Sequence, residues 1–194
     1  MGKVERAALW YARRGLHVHP FRPGEKLPLL DRWQERATTD AATIAAWWSR
    51  WPDAGVGIVT GAASGIVVVD IDPRHGGDDS LADLERNHGQ LPPTWRALTA
   101  GGGLHLYKCH PGGRMGNRAA LWPGIDLRAD AGYVVAPPTV LGNGRGYSWE
   151  IGHAPHEVVL AEMPPWLIDL IQQSKEARLE DLEHAATRRD GPKG

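Results

Sequence analysis

Two aspartates close the run Gly65 to Pro73, GIVVVDIDP, with one isoleucine between them. The apolar run reads as a buried strand. Side chains alternate across a strand, so Asp70 and Asp72 point one way and Ile71 the other, with Cα atoms roughly 6.5–7 Å apart. Two later stretches repeat the pattern. In GLHLY, His105 and Tyr107 oppose Leu104 and Leu106; in GIDLR, Asp126 and Arg128 oppose Ile125 and Leu127. Each stretch alone is compatible with a solvated strand face whose acid is exposed or salt-bridged. Three matching strands instead point to one shared site. Clustered carboxylates repel and desolvate poorly without a cation to neutralise them. All-oxygen ligands suit magnesium or manganese rather than zinc, and such ions in pairs serve phosphoryl transfer.

The elements that must position these residues follow from periodicity and punctuation. A helix is predicted over Val4–Arg14, with Val4, Ala7, Ala8 and Tyr11 on one face and Gly15 to end it. LHVHPF reads as a strand leading into a proline- and glycine-rich loop, RPGEKLPLL. Thr39 or Asp40 caps a second helix, in which Ile44, Trp47, Trp48 and Trp51 recur at helical spacing. Core packing, rather than base stacking, is the expected use of those tryptophans. VGIVTG and GIVVVDID are strands, and Asp78 or Asp79 caps a short helix that Gly89 ends. WRALTA and GLHLYKC form a hairpin through Gly101–Gly103. A loop is expected from His110 to Gly124, then strands in GIDLRA, GYVVAPPTV and RGYSWEI. The final helix, MPPWLIDLIQQ, starts with proline in its first turn. Helices early and strands in the middle, without a βαβα rhythm, indicate α+β with a largely antiparallel sheet.

The chain has 194 residues, a formal net charge of −1 and one cysteine, Cys109. The length suits one sizeable domain with a tail: a catalytic domain over 1–173 and a polar tail or linker over 174–194. The charge balance neither suggests nor forbids a nucleic-acid partner, which would need a local basic patch. A single cysteine excludes an internal disulfide and a zinc ribbon of paired cysteines. There is no secretory signal and no apolar run of about 20 residues, so a cytoplasmic protein without a membrane partner is expected. Other features point less sharply. Gly101–Gly103 is a turn before it is a phosphate loop, and Cys109 and His110 beside His105 lack a fourth zinc ligand at fitting spacing. His17 and His19 read as structural or exposed, Lys26 as an ordinary exposed lysine. Lys108, Arg114 and Arg118 make a basic cluster that could serve as a flexible phosphate clamp.

Taken together, Asp70-Ile71-Asp72, Gly103-Leu104-His105 and Ile125-Asp126 resemble, in order, the three motifs of the bifunctional DNA primase/polymerase N-terminal (prim-pol) domain of the archaeo-eukaryotic primase superfamily. The phrases AAWWSRWPDAGVGIVTG, VVVDIDPRHGG and GIDLRADAGYVVAPPTV extend the likeness from about Ala7 to about Leu170. The resemblance implies an archaeo-eukaryotic primase fold: an RRM-like catalytic sheet joined to a smaller N-terminal α/β part. It implies a DNA primase/DNA polymerase with Asp70, Asp72 and Asp126 as ligands of two Mg²⁺ or Mn²⁺ ions and His105 at the incoming triphosphate. Lys26 and Arg128 would help at the phosphates. Gly103 stands where many relatives have serine, so backbone N–H groups would replace a hydroxyl there. Implied partners are a DNA template and primer, nucleoside triphosphates, and a helicase or helix-bundle segment in a longer replication protein.

Template-directed nucleotidyl transfer is therefore the expected activity. A phosphohydrolase with an aspartate nucleophile also ends a strand in Asp-x-Asp, but that chemistry gives His105 and Asp126 nothing to do. A catalytically inactive nucleic-acid-binding module would not need an intact acidic triad.

Overall fold

The computed structural model describes residues 1–174. Apart from Ser174, the expected polar tail lies outside the described residues. Two compact units are distinguished, Met1–Glu162 and Met163–Gly194. The second contains a helix over 165–174 that begins at Pro165, where the missing N–H costs nothing. No helix among the described residues is long and apolar enough to cross a membrane.

The first unit opens with α1 (Lys3–Ala12), β1 (Val18–Phe21), α2 (Trp33–Arg36) and α3 (Ala41–Arg50). Asp40 caps α3 by accepting from the Thr43 N–H at 2.7 Å. β2 (Gly55–Val59) and β3 (Ile66–Ile71) follow, then a 3-10 turn over Pro73–His75 and α4 (Gly77–His88). The remaining strands are β4 (Arg96–Leu98), β5 (Leu104–Cys109), β6 (Arg118–Trp122), β7 (Ile125–Arg128), β8 (Tyr133–Val135) and β9 (Ser148–Trp149). They form a three-stranded sheet, β1-β2-β8, and a six-stranded sheet, β6-β7-β3-β5-β4-β9, with every paired neighbour antiparallel. The architecture is α+β, as the element order indicated.

β3 holds the centre of the larger sheet because Ile66, Val67, Val68 and Val69 are β-branched and buried on both faces. One core joins Ala8 and Tyr11 of α1, Ile44 and Trp48 of α3, and Val18, Val56 and Ile58 of the small sheet to Ile66, Val68 and Tyr107 of the large one. Trp47 and Trp48 are buried in that core, and Trp51 packs against it. The tryptophan repeat is thus used for packing, as expected.

Several expectations are corrected. α1 ends at Ala12 rather than Arg14, and α4 starts at Gly77 with Gly76 as its N-cap, so Asp78 and Asp79 lie in its first turn instead of capping it. α2 falls just beyond the proline- and glycine-rich loop, where no element was expected. The expected loop His110–Gly124 contains β6, paired with β7 through an irregular register between Arg118 and Trp122. Its earlier part is tethered: Asp130 accepts from the Met115 N–H at 2.8 Å, and Asn117 accepts from the Ala129 N–H at 2.7 Å. Lys108 does not join Arg114 and Arg118 in a clamp. It sits one residue out of phase with Tyr107, is fully buried, and donates from Nζ to the Pro92 carbonyl at 3.0 Å. Burial pulls its pKa down to about 8. His19 is fully buried as well, whereas His17 is half-buried and precedes β1.

Candidate active site

Register brings the three motifs together. Asp70 on β3 lies directly opposite His105 on β5 and directly opposite Asp126 on β7. All three side chains therefore share one face at the centre of the six-stranded sheet. The next position back on that face is Val68, opposite Tyr107 and Arg128. Val68 and Tyr107 are fully buried in the core, and His105 is 5% exposed. Behind the acids this face is covered at Val68 and Tyr107, and it opens at its acidic end.

That end opens into a pocket of about 710 Å³, within the range of small-molecule and cofactor sites. Asp70, Asp72, His105, Asp126 and Arg128 line it from the large sheet; Lys26, Trp33 and Tyr133 line it from the N-terminal segment and β8. Lys26 is not merely an exposed lysine: its ammonium lies 5.9 Å from the centroid of the Tyr147 ring, at the pocket wall. The residues nominated in the three motifs, Gly103 included, line this one pocket together with Lys26 and Arg128, whereas Lys108, Arg114 and Arg118 are not among its lining residues.

Each group is held by a distinct set of partners. His105 Nε2 lies 3.5 Å from Asp70 Oδ1, and its Nδ1 is buried without a partner. Burial pulls its pKa down, with Asp70 opposing and Lys26 and Arg128 assisting, so the ring is neutral at physiological pH. Arg128 Nη2 donates to Asp126 Oδ2 at 2.6 Å and stands 4.0 Å from Asp70 Oδ2. Asp126 Oδ1 accepts from the Ala120 N–H at 2.7 Å. Asp72 lies just beyond β3 and caps the 3-10 turn. Its Oδ1 accepts from the Arg74 N–H at 3.0 Å and from Arg74 Nε at 2.9 Å. Its Oδ2 meets Arg74 Nη2 at 2.7 Å and His75 Nδ1 at 3.0 Å. The Arg74 guanidinium, above all, holds the Asp72 carboxyl well below the usual carboxylate range.

Position 103 needs glycine for space, because a Cβ there would stand 2.3 Å from the Ile71 carbonyl oxygen. Two backbone donors of this turn are already engaged: the Gly102 N–H bonds the Thr99 carbonyl at 3.0 Å and the Gly103 N–H bonds Thr99 Oγ1 at 2.9 Å. The hydroxyl nearest position 103 is thus that of Thr99.

Among the described residues, no group of three His, Cys, Asp or Glu side chains is assembled as a metal cage. The donor chemistry nevertheless fits a hard divalent cation: three aspartates, each about 30% exposed, border one pocket. Two of the three carry an arginine, which supplies the positive charge a cation would bring. Sequence reasoning missed Arg74, Thr99, Trp33, Tyr133 and Tyr147. Only Arg74, two residues after Asp72, left a local signal.

An antiparallel α+β unit whose central strand ends in acids, above a pocket walled by lysine, arginine and histidine, is suited to a polyanionic ligand that carries its own cations. The chain belongs to the family of bifunctional DNA primase/polymerase N-terminal domains, whose family model matches residues 8–166. Membership implies DNA primase/polymerase activity of the nucleotidyltransferase type, and with it binding of DNA and nucleotide. No curated protein matches the chain.

Proposed function

We propose that this domain extends a DNA primer on a template during replication, with two Mg²⁺ or Mn²⁺ ions held by Asp70, Asp72 and Asp126. The observation that carries the reading is the register that sets Asp70 opposite both His105 and Asp126 at the mouth of a nucleotide-sized pocket. When bound, the cations would neutralise phosphate charge and favour ionisation of the primer 3′-hydroxyl. The protein's own groups do the remainder. Asp70 and Asp126 fix where positive charge gathers. Lys26 and Arg128, which both line the pocket, would offset the charge of the triphosphate as pyrophosphate leaves. His105, neutral and buried, presents one N–H to a phosphate oxygen, a bond strengthened by the charge on the acceptor. Trp33 and Tyr133 supply aromatic surface to the pocket wall.

The strand order supports an archaeo-eukaryotic primase fold for the large sheet. β3, α4 and β4 form a crossover with β5 between the two parallel strands, the split βαβ arrangement of RRM-like sheets. In this reading residues 1–173 are the catalytic domain, the protein works in the cytoplasm, and a helicase or helix-bundle segment accompanies it in a longer chain. Primer extension with deoxynucleotides and with ribonucleotides, in magnesium and in manganese, tests the activity. Lengthening of the primer supports it, and no product under any of the four conditions would overturn it.

A further inference from the structure

Asp72 offers a cation no free lone pair. A carboxylate has about four acceptor sites, and four donors occupy them: the Arg74 N–H and Nε on Oδ1, and Arg74 Nη2 and His75 Nδ1 on Oδ2. Asp70 contrasts with it, since its nearest nitrogen groups are the neutral His105 ring, with Nε2 at 3.5 Å, and the Arg128 guanidinium, with Nη2 at 4.0 Å. Any metal that uses Asp72 must therefore displace a donor, and Arg74 supplies three of the four. That displacement is easy, because the Arg74 side chain is 67% exposed and exposed ion pairs are weak.

The freed guanidinium does not lose its surroundings. Arg74 already lines the pocket, and its Nη2 lies against the glycine turn, 3.4 Å from where a Cβ on Gly101 would sit. The guanidinium fork that fits a carboxylate bidentately fits a phosphate equally well. Backbone donors at Gly102 and Gly103 are committed to Thr99, so this wall of the pocket needs another donor for a phosphate oxygen.

We propose that Arg74 is an exchangeable internal cation: it occupies Asp72 in the metal-free protein and moves to the phosphates of the nucleoside triphosphate once a divalent cation takes its place. The proposal rests on the polymerase reading above and adds a residue to it. It also explains how three acids can share a site before metal arrives. Arg74 answers for Asp72, and Arg128 answers for Asp126 and partly for Asp70.

Two titrations on the intact protein test it. The first measures Mn²⁺ binding to nucleotide-free protein by the electron paramagnetic resonance of free Mn²⁺. The second measures binding of a non-hydrolysable deoxynucleoside triphosphate analogue at saturating Mn²⁺. Arg74→Ala is expected to bind Mn²⁺ several-fold more tightly, because its competitor is gone, and to bind the analogue about tenfold or more weakly. Arg74→Lys keeps the charge but not the fork, and falls between wild type and Arg74→Ala on both scales. A purely structural clamp predicts otherwise: its loss loosens the site and weakens both ligands. Mn²⁺ affinity that is unchanged or lower in Arg74→Ala, or analogue affinity that is unchanged, overturns the exchange. Wild-type protein that binds neither ligand overturns the polymerase reading and this proposal together.

Discussion

Asp70 and Asp126 face each other across the β3–β7 pair, and one arginine serves both. Arg128 donates to Asp126 at 2.6 Å and reaches to 4.0 Å from Asp70. Two carboxylates paired across neighbouring strands repel when nothing neutralises them. The pair is tolerated here because it is only part-buried and because Arg128 projects from its own strand onto the same face.

Removing that arginine should therefore destabilise the metal-free protein and do so reversibly. Arg128→Ala is expected to lower stability by about 1 kcal/mol after allowance for exposure of the pair, or about 2–4 °C in melting temperature for a chain of this size. Millimolar Mn²⁺ should restore most of the loss by supplying the missing charge. A thermal melt with and without Mn²⁺ checks this, and an unchanged Tm in chelator would contradict the repulsion argument.

Substitution of the acids should separate two roles that their shared motif conceals. Asp70→Ala removes one partner of a repelling pair, so Tm in metal-free buffer should stay level or rise. Asp72→Ala removes the acceptor that caps the 3-10 turn at the Arg74 N–H, so it should cost about 1 kcal/mol. Both should abolish nucleotide incorporation in primer extension. Near-wild-type incorporation by either variant would remove that residue from the metal-ligand assignment.

How far the site was legible follows from the same residues. Strand parity was enough to put Asp70, His105 and Asp126 each on the polar side of its own strand, since it depends only on local pattern; that β5 and β7 flank β3 in matching register is tertiary. The parity argument also placed Lys108 out of phase with His105, so grouping it with Arg114 and Arg118 by sequence proximity failed. β6 was hidden because its pairing is irregular and Ala120 adopts φ 50°, which no apolar alternation announces. Arg74 was hidden for a different reason. Its contact with Asp72 depends on the turn at Pro73, which folds the side chain back two residues. The wall formed by Trp33 and Tyr133 is purely tertiary: their rings meet at 4.7 Å across a hundred residues of intervening chain.

His19, packed against the pocket residues Trp33 and Tyr133, makes stability depend on pH. Its ring is stacked on Trp33 and contacts Phe21 and Tyr133, with both nitrogens buried and unpartnered. Burial pulls its pKa from 6.5 down to about 4. Above 6.5 both folded and unfolded forms are neutral and the full stability is present. As pH falls below 6.5 the unfolded chain takes a proton that the folded one refuses, and stability is lost until about pH 4. The loss from this group at pH 4.5 is on the order of 2 kcal/mol. His19→Gln, whatever its stability at pH 7.5, should lose less than wild type between pH 7.5 and 4.5 by about that amount in urea unfolding. Parallel losses in the two proteins would show that His19 does not titrate in this range.

His105 tests the difference between holding the nucleotide and holding the cation. Hard divalent cations prefer oxygen, and three aspartates border the pocket, so the imidazole is not needed as a ligand. Its Nε2 faces the pocket beside Asp70, where an N–H can reach a phosphate oxygen. Loss of a hydrogen bond to a charged acceptor costs about 1.5–3 kcal/mol, which is roughly ten- to a hundredfold in affinity. His105→Ala should therefore weaken binding of a non-hydrolysable triphosphate analogue by that factor, yet leave Mn²⁺ affinity of the nucleotide-free protein nearly intact. Because burial keeps the ring neutral, wild-type analogue affinity should also not decline through loss of a proton from His105 as pH rises from 6.5 to 8. If Mn²⁺ binding were lost in His105→Ala while analogue affinity at saturating metal held, His105 would belong with the metal ligands. If wild-type affinity fell across that pH range and the fall vanished in the variant, the imidazolium would be the form that holds the phosphate.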